Sequence, residues 1–248
     1  MFITPDFVFV HMPKTGGTFV TKMLKKLYPD GIELDKHGTC SDIPHKYAHL
    51  PIVSVLRNPF DRYVSQYFYG WWQRNLELYC GSEHFEAHLE DGRQNIEKIE
   101  FEYFVYLTDK CFKGFYQSEP NGYRNMSAAP LGWHTEQYFR FFFREPKSTF
   151  NQLTEADIQS KAFIEQQYPV TFMFNETLNQ DLHQLLSDFG HSAQDLAFII
   201  QSDRILPEGG QPRNDRDWRK HYTDESLTFV AQRERILFDL YSQYKEVA

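Results

Sequence analysis

The segment from Phe7 to Leu27 constrains the fold most, because a short apolar run, two adjacent glycines and a helical pattern follow one another there. Residues 7–11 (FVFVH) are rich in β-formers, and Pro13 and the pair Gly16-Gly17 come soon after them. Beyond the glycines, apolar residues recur three and four positions apart: Phe19, Val20, Met23, Leu24 and Leu27. The pattern predicts a strand, a tight turn and an α-helix.

Two further apolar runs predict buried strands, residues 52–56 (IVSVL) and 170–174 (VTFMF). Asn58 and Pro59 follow the first run as a helix N-cap and a proline at the first helical position. The helices expected after the two runs cover about 59–72 and 178–189. Strands that alternate with helices predict an α/β fold with a central, mainly parallel sheet flanked by helices.

The rest of the chain adds a strand and a helix but no internal boundary. Gly31–Leu34 predicts a second strand, and Thr223–Tyr244 predicts one long amphipathic helix. Neither a repeat nor a low-complexity linker interrupts the sequence. Residues 1–248 are therefore expected to form a single domain.

Composition excludes several classes of protein. Hydrophobic residues make up 41% of the 248 residues, and the formal net charge of -8 disfavours a general nucleic-acid or anionic-membrane binder. No run approaches the roughly 20 apolar residues of a membrane span. Three widely spaced cysteines favour reduced thiols over a disulfide framework: Cys40, Cys80 and Cys111. A soluble, cytoplasmic protein without nucleic-acid partners is expected.

The turn before the first predicted helix carries residues that suit an anion. A helix N-terminus exposes backbone N–H groups and about half a positive charge. Lys14 adds a cation, and Thr15 and Thr18 add hydroxyl donors. The turn is not a Walker A loop, because Lys14 precedes both glycines, and it lacks the GxGxxG fingerprint of dinucleotide sites. It predicts an oxyanion or phosphate cradle.

A second string, residues 55–67 (VLRNPFDRYVSQY), follows the strand predicted at 52–56. Arg57 falls at the carboxyl end of that strand, where open parallel sheets bind ligands. Ser65 lies eight residues further on, about two turns into the next helix. A guanidinium and a hydroxyl so placed can hold one phosphate between them.

Together, PKTGGT and LRNPxDRxxSxY resemble the sulfotransferases that use 3′-phosphoadenosine 5′-phosphosulfate (PAPS), in particular the Golgi-type carbohydrate branch and its soluble bacterial relatives. The resemblance implies a P-loop NTPase-like three-layer fold. It covers a donor-binding core of about residues 7–72 and 170–244. The intervening residues, about 75–165, would then form a variable, helical acceptor-side insert.

The resemblance also implies roles for individual residues. The residues expected to hold the 5′-phosphosulfate are Lys14, Thr15, Gly16, Gly17, Thr18 and Phe19. Arg57 and Ser65 would bind the 3′-phosphate, and Arg213 and Asn214 lie where the family carries a loop over the nucleotide. The implied reaction transfers a sulfuryl group to a hydroxyl, or less often an amine, of a glycan, glycoside or small metabolite.

Such a transfer needs a cation for the departing phosphate and a general base for the acceptor proton. Lys14 is expected to supply the charge. His37, 23 residues further on at the end of the predicted second strand, is the expected base. The alternatives for the base are Asp35, Asp42, His45 and Glu136. His134 and Gln137 are candidates for lining the acceptor pocket, and His11 is expected to be structural.

No metal is expected, because residues 84–88 (HFEAH) depart from HExxH and lack an evident third ligand. Two other functions remain open. One is a nucleotide-dependent kinase on a similar strand, loop and helix, against which the missing GK[ST] counts. The other is a non-catalytic nucleotide-binding module. The sequence leaves the acceptor and the oligomeric state undetermined.

Overall fold

The computed structural model describes residues 1–75, 99–111, 123, 130–203, 205 and 217–247. Within these residues the chain is an α/β protein with one mixed five-stranded sheet, in the spatial order β3-β1-β2-β4-β5. The strands are β1 (Phe2–Ile3), β2 (Val8–Val10), β3 (Ile32–Glu33), β4 (Ile52–Leu56) and β5 (Val170–Phe174). The bounds predicted for the strands at 52–56 and 170–174 are confirmed. β4 is buried along its whole length, as expected. β5 is the last strand in the described order and only its Met173 is buried, which corrects the prediction of a buried strand there.

Eleven α-helices lie within the described part of the chain, and none of them is both long and apolar enough to cross a membrane. They are α1 (Gly17–Leu27), α2 (Pro59–Tyr69), α3 (Trp71–Arg74), α4 (Phe101–Cys111), α5 (Trp133–Phe142), α6 (Pro146–Gln152), α7 (Glu155–Ser160), α8 (Leu178–Asp188), α9 (Ala193–Gln201), α10 (Asp224–Arg233) and α11 (Arg235–Leu240). The helices predicted after the glycine pair and after β5 are confirmed as α1 and α8.

The sheet is mixed, which corrects the prediction of a mainly parallel one. β2, β4 and β5 run parallel, but β1 pairs antiparallel with both β2 and β3. A turn joins β1 to β2, in which the Thr4 N–H and Oγ1 both donate to the Phe7 carbonyl oxygen. A strand of two residues is too short to show a periodicity, so the sequence pattern does not predict β1.

The chain divides into two compact units. The first comprises Met1–Asn58, Phe141–Arg144 and Gln167–Pro212, and it holds the whole described sheet with α1, α8 and α9. Buried side chains of these three helices pack on the strands: Phe19, Val20, Met23, Leu24, Leu178, Leu182, Leu186, Leu196 and Ile199. Burial of such apolar faces is the main stabilising contribution to the unit.

The second unit comprises Pro59–Arg140, Glu145–Gln166 and Arg213–Ala248, and its described elements are helical. Its core is rich in rings, which accounts for part of the 17% aromatic content. Phe60 stacks on Trp218 with ring centroids 4.8 Å apart, and Tyr67 stacks on Trp72 at 6.1 Å. The single domain expected over residues 1–248 stays a prediction.

Two predicted helices are interrupted. The helix expected to run to about Trp72 ends at Tyr69, because Gly70 adopts a left-handed conformation (φ 63°) that a helix does not continue through. The helix expected over 223–244 breaks between α10 and α11. There the Arg233 carbonyl accepts from the Gly132 N–H at 2.7 Å, and Leu237 donates to the Glu234 carbonyl in a tighter turn.

Candidate functional site

The turn between β2 and α1 has an unusual backbone. Lys14 lies in the left-handed region at φ 65°, and Gly16 lies at φ 107°. A side chain at Gly16 would overlap Asn175 and Leu178, and one at Gly17 would overlap the imidazole of buried His11. Both glycines are therefore required for close approach, while Lys14 adopts a conformation that costs a non-glycine residue energy.

Five carbonyl groups of this turn each accept a hydrogen bond from the protein. The acceptor–donor pairs are His11 O with His37 Nδ1 (3.0 Å), Met12 O with Thr15 Oγ1 (2.9 Å), Lys14 O with Arg57 Nη1 (3.3 Å), Thr15 O with Asn175 Nδ2 (2.9 Å) and Gly16 O with Phe19 N–H (2.9 Å). These five acceptors of the turn are thus occupied inside the first unit.

The donors of the turn are arranged differently. Among the described residues, no hydrogen bond engages the amide N–H groups of Gly17 and Thr18, the first two residues of α1. The first amides of a helix have no intrahelical acceptor, and the helix dipole makes this end positive. With acceptors occupied and donors available, the turn suits an anion and not a cation.

The predicted residues of the turn contribute in different ways. Lys14 and Thr18 are partly exposed, whereas Thr15 is buried and its hydroxyl donates within the turn. The Phe19 side chain packs into the core of the first unit and so anchors the start of α1 to that core. Thr15 and Phe19 therefore support the turn, and Lys14 supplies the cation at its surface.

Arg57 and Ser65 belong to different units. Arg57 follows β4 in the first unit, is partly exposed, and donates to the Lys14 carbonyl, so it lies beside the turn. Ser65 lies on α2 in the second unit and is partly exposed. Their joint binding of one phosphate stays a prediction. Arg213 and Asn214 lie outside the described residues, as do residues 84–88.

His37 lies beside the same turn, although it is distant in sequence. Its ring centroid is 5.0 Å from that of His11, and its Nδ1 hydrogen-bonds the His11 carbonyl oxygen at 3.0 Å. A carbonyl accepts only, so Nδ1 carries the proton and Nε2 of the neutral ring keeps its lone pair. Desolvation of the ring lowers the pKa of His37 below its usual 6.5, which favours this neutral form.

His11 itself is structural, as expected. The residue is buried, and burial lowers the pKa of its imidazole to about 2. The ring therefore stays neutral at all ordinary pH values and fills the space that Gly17 leaves.

The alternative bases lie in other settings. The Asp35 carboxylate accepts from the His37 N–H at 2.9 Å, and the Asp42 carboxylate accepts from the Thr39 N–H and hydroxyl, which closes a capping box. His45 is exposed in a 3₁₀ turn. Glu136 is fully buried in the second unit beside Arg140, where burial raises its pKa to about 7.

His134 and Gln137, the candidates for an acceptor pocket, are also buried in the second unit. His134 Nε2 lies 3.0 Å from the Gln66 Oε1, and Gln137 Oε1 accepts from Arg62. Both side chains thus join a buried polar network. Among the described residues, no group of three His, Cys, Asp or Glu side chains could hold a metal ion.

The sequence alone predicts no role for Asn175 or Glu176, which follow β5. Asn175 donates to the Thr15 carbonyl, and Glu176 Oε1 accepts from the Asn58 N–H at 2.8 Å. The available signal was their position at the carboxyl end of a parallel strand, where ligand sites of open sheets form.

A comparison with protein families, curated proteins and solved structures finds no match to this chain. The geometry of the turn and the two motifs therefore carry the functional inference.

Proposed function

We propose that this protein is a PAPS-dependent sulfotransferase with a P-loop NTPase-like donor site. The observation that carries the proposal is the β2–α1 turn. Five of its carbonyls are occupied internally, while the amides of Gly17 and Thr18 have no partner among the described residues. Such a turn binds an oxyanion. Lys14 and Arg57 beside it suit a donor that carries phosphate and sulfate groups.

In the proposed reaction, an acceptor hydroxyl attacks sulfur in line with the bond to the 5′-phosphate. The new S–O bond forms as the bond to the phosphate oxygen breaks, and negative charge grows on that oxygen. Lys14 and the N–H groups at the start of α1 stabilise this charge, because preorganised donors need not reorient during the reaction. His37 Nε2 takes the proton of the acceptor.

Isothermal titration calorimetry with three nucleotides tests the donor assignment. The ligands are PAP (the product nucleotide, adenosine 3′,5′-bisphosphate), adenosine 5′-phosphate, and ATP with Mg²⁺. A sulfotransferase binds PAP at least about tenfold more tightly than adenosine 5′-phosphate, since about 1.4 kcal/mol is a modest value for one charged phosphate contact. Preference for ATP with Mg²⁺ would favour the kinase, and indifference to the 3′-phosphate would overturn the donor assignment.

Two lysine variants separate the turn from general charge effects. Lys14→Ala removes the cation of the turn, whereas Lys22→Ala removes an exposed lysine on α1. Lys14→Ala should abolish transfer of ³⁵S-sulfate from labelled PAPS to a panel of glycans, glycosides and phenols, while Lys22→Ala retains it. Equal losses in the two variants would contradict the assignment. If the wild type binds PAP but labels no acceptor in the panel, the non-catalytic module gains support.

A further inference from the structure

The carboxyl end of β5 carries two adjacent side chains that reach different loops. Asn175 contacts the β2–α1 turn, and Glu176 contacts the residue that follows Arg57. All of these residues belong to the first unit. Neighbouring residues of one loop thus touch both of the segments that carry the proposed donor motifs.

Asn175 supports the turn in two ways. Its Nδ2 donates to the Thr15 carbonyl at 2.9 Å, which fixes the peptide that joins Thr15 to Gly16. Its amide also occupies the space next to Gly16, where a Cβ would overlap it. The side chain therefore holds the left-handed Gly16 in place on the side of the turn that faces β5.

Glu176 acts on the second loop. Its Oε1 accepts at 2.8 Å from the backbone N–H of Asn58, which is 4% exposed. Asn58 follows Arg57, whose Nη1 donates to the Lys14 carbonyl at 3.3 Å. Hydrogen bonds therefore link the turn to Asn175, the neighbouring Glu176 to Asn58, and the neighbouring Arg57 back to the turn.

We infer that Asn175 and Glu176 are positioning residues of the proposed donor site. The inference rests on the proposed function. Their two hydrogen bonds hold the turn and Arg57 in a fixed relation before the donor binds, so less conformational freedom is lost on binding. Neither side chain needs to touch the donor for this effect.

Four variants test the inference by calorimetric titration with PAP. Asn175→Ala should raise the Kd about tenfold, and Glu176→Ala about fivefold, in line with the net value of one hydrogen bond to a buried group. Glu176→Gln keeps an Oε1 that can accept from Asn58, so it should recover most of the affinity that Glu176→Ala loses. The matched control is Asn179→Ala, whose Nδ2 bonds the Ile199 and Ser202 carbonyls away from the turn.

An NMR measurement of the Gly16 amide tests the positioning role of Asn175 without any nucleotide. Thr15-Gly16 is the only Thr-Gly step in the sequence, so labelling with ¹³C-carbonyl threonine and ¹⁵N-glycine isolates one amide, that of Gly16. Asn175→Ala should shift this resonance, because the carbonyl of the same peptide loses its donor, and Asn179→Ala should leave it in place. Urea titrations of all variants measure stability separately.

The outcomes distinguish this inference from the proposed function. If the wild type fails to bind PAP, the proposed function fails, and an unmoved Gly16 resonance in Asn175→Ala would still overturn the positioning role on its own. If Lys14→Ala abolishes PAP binding while Asn175→Ala and Glu176→Ala stay within twofold of the wild type, the donor site stands and the positioning role is wrong.

Discussion

Lys14 has a backbone conformation that most residues avoid. Its φ of 65° costs a non-glycine residue of the order of 1 kcal/mol. Its own carbonyl is held by Arg57, and the next carbonyl is held by Asn175. These two hydrogen bonds help to hold the strained backbone in place.

Alanine in place of Gly17 should destabilise the protein, which is the opposite of the usual effect of this substitution in a helix. Gly→Ala inside a helix normally stabilises by about 1 kcal/mol. Here the new Cβ would overlap the imidazole of buried His11, so Gly17→Ala should destabilise the protein by about 1–3 kcal/mol. Urea denaturation of the purified variant measures the free energy of unfolding.

Thr21→Ala, one turn further along α1 at a half-buried position, is the matched control and should change stability little. A Gly17→Ala protein as stable as the wild type would show that the turn has room that the structure does not show.

His37 should set the acid limb of the pH–rate profile. Because desolvation lowers the pKa of His37, its ring stays neutral and basic down to a pH below 6.5, and the rate should fall tenfold per pH unit below that pKa. His37→Ala should lower kcat by about 10²–10⁴-fold and remove this limb. The measurement is sulfate transfer from labelled PAPS across pH 5–8.

His45→Ala is the comparison, since His45 is an exposed histidine of the same loop region. Turnover near the wild-type value in His37→Ala would rule out His37 as the base. If the rate of His37→Ala still falls at low pH, a group other than His37 causes that decrease.

The element that joins α10 to α11 depends on one buried carboxylate. Glu234 accepts from the Tyr63 hydroxyl at 2.9 Å, from the His134 and Thr135 N–H groups at 3.1 and 2.7 Å, and from the Thr135 hydroxyl at 2.7 Å. Two of these donors are amides of the first turn of α5, which have no intrahelical acceptor. Glu234 thus caps α5 from the break in the C-terminal helices.

Glu234→Ala should destabilise the protein by about 3 kcal/mol or more, because several buried donors lose their acceptor at once. Burial raises the pKa of Glu234 above 4.5. The wild type therefore loses stability as the pH rises through that raised pKa, whereas the variant has no such group. In urea denaturation, the difference in the free energy of unfolding between the wild type and Glu234→Ala should therefore decrease as the pH rises.

Glu225→Ala removes an exposed carboxylate from the first turn of α10 and should cost less than about 1 kcal/mol. A Glu234→Ala protein no less stable than Glu225→Ala would mean that the four hydrogen bonds contribute little.

Elements with a strong local pattern could be predicted from the sequence. β4, β5, α1 and α8 follow from apolar runs and helical spacing. β4, α1 and α8 bury apolar side chains in the first unit, whereas β5 keeps its apolar run with only Met173 buried. The break at Glu234 could not be predicted in this way. Its cause is a hydrogen bond between Gly132 and Arg233, and no local pattern reports a partner a hundred residues away.

At the scale of the whole molecule, the sequence predicts which loops form the proposed donor site but not how those loops are joined. The motifs marked Lys14 and Arg57, since parallel strands bring their carboxyl ends to one edge of a sheet. The contact from Asn175 to Thr15 spans 160 residues. Such a pairing depends on strand order, which a single sequence does not specify, so the contacts of Asn175 and Glu176 cannot be predicted from the sequence alone.

The packing of His11 against Gly17 has a consequence for how this sequence can vary. The imidazole fills the place that a side chain at position 17 would need. Any related chain with a larger residue at position 17 must carry a smaller one at position 11, unless the turn itself changes. The residues at positions 11 and 17 should therefore co-vary among related chains. A change at only one of these positions should indicate that the turn has a different conformation.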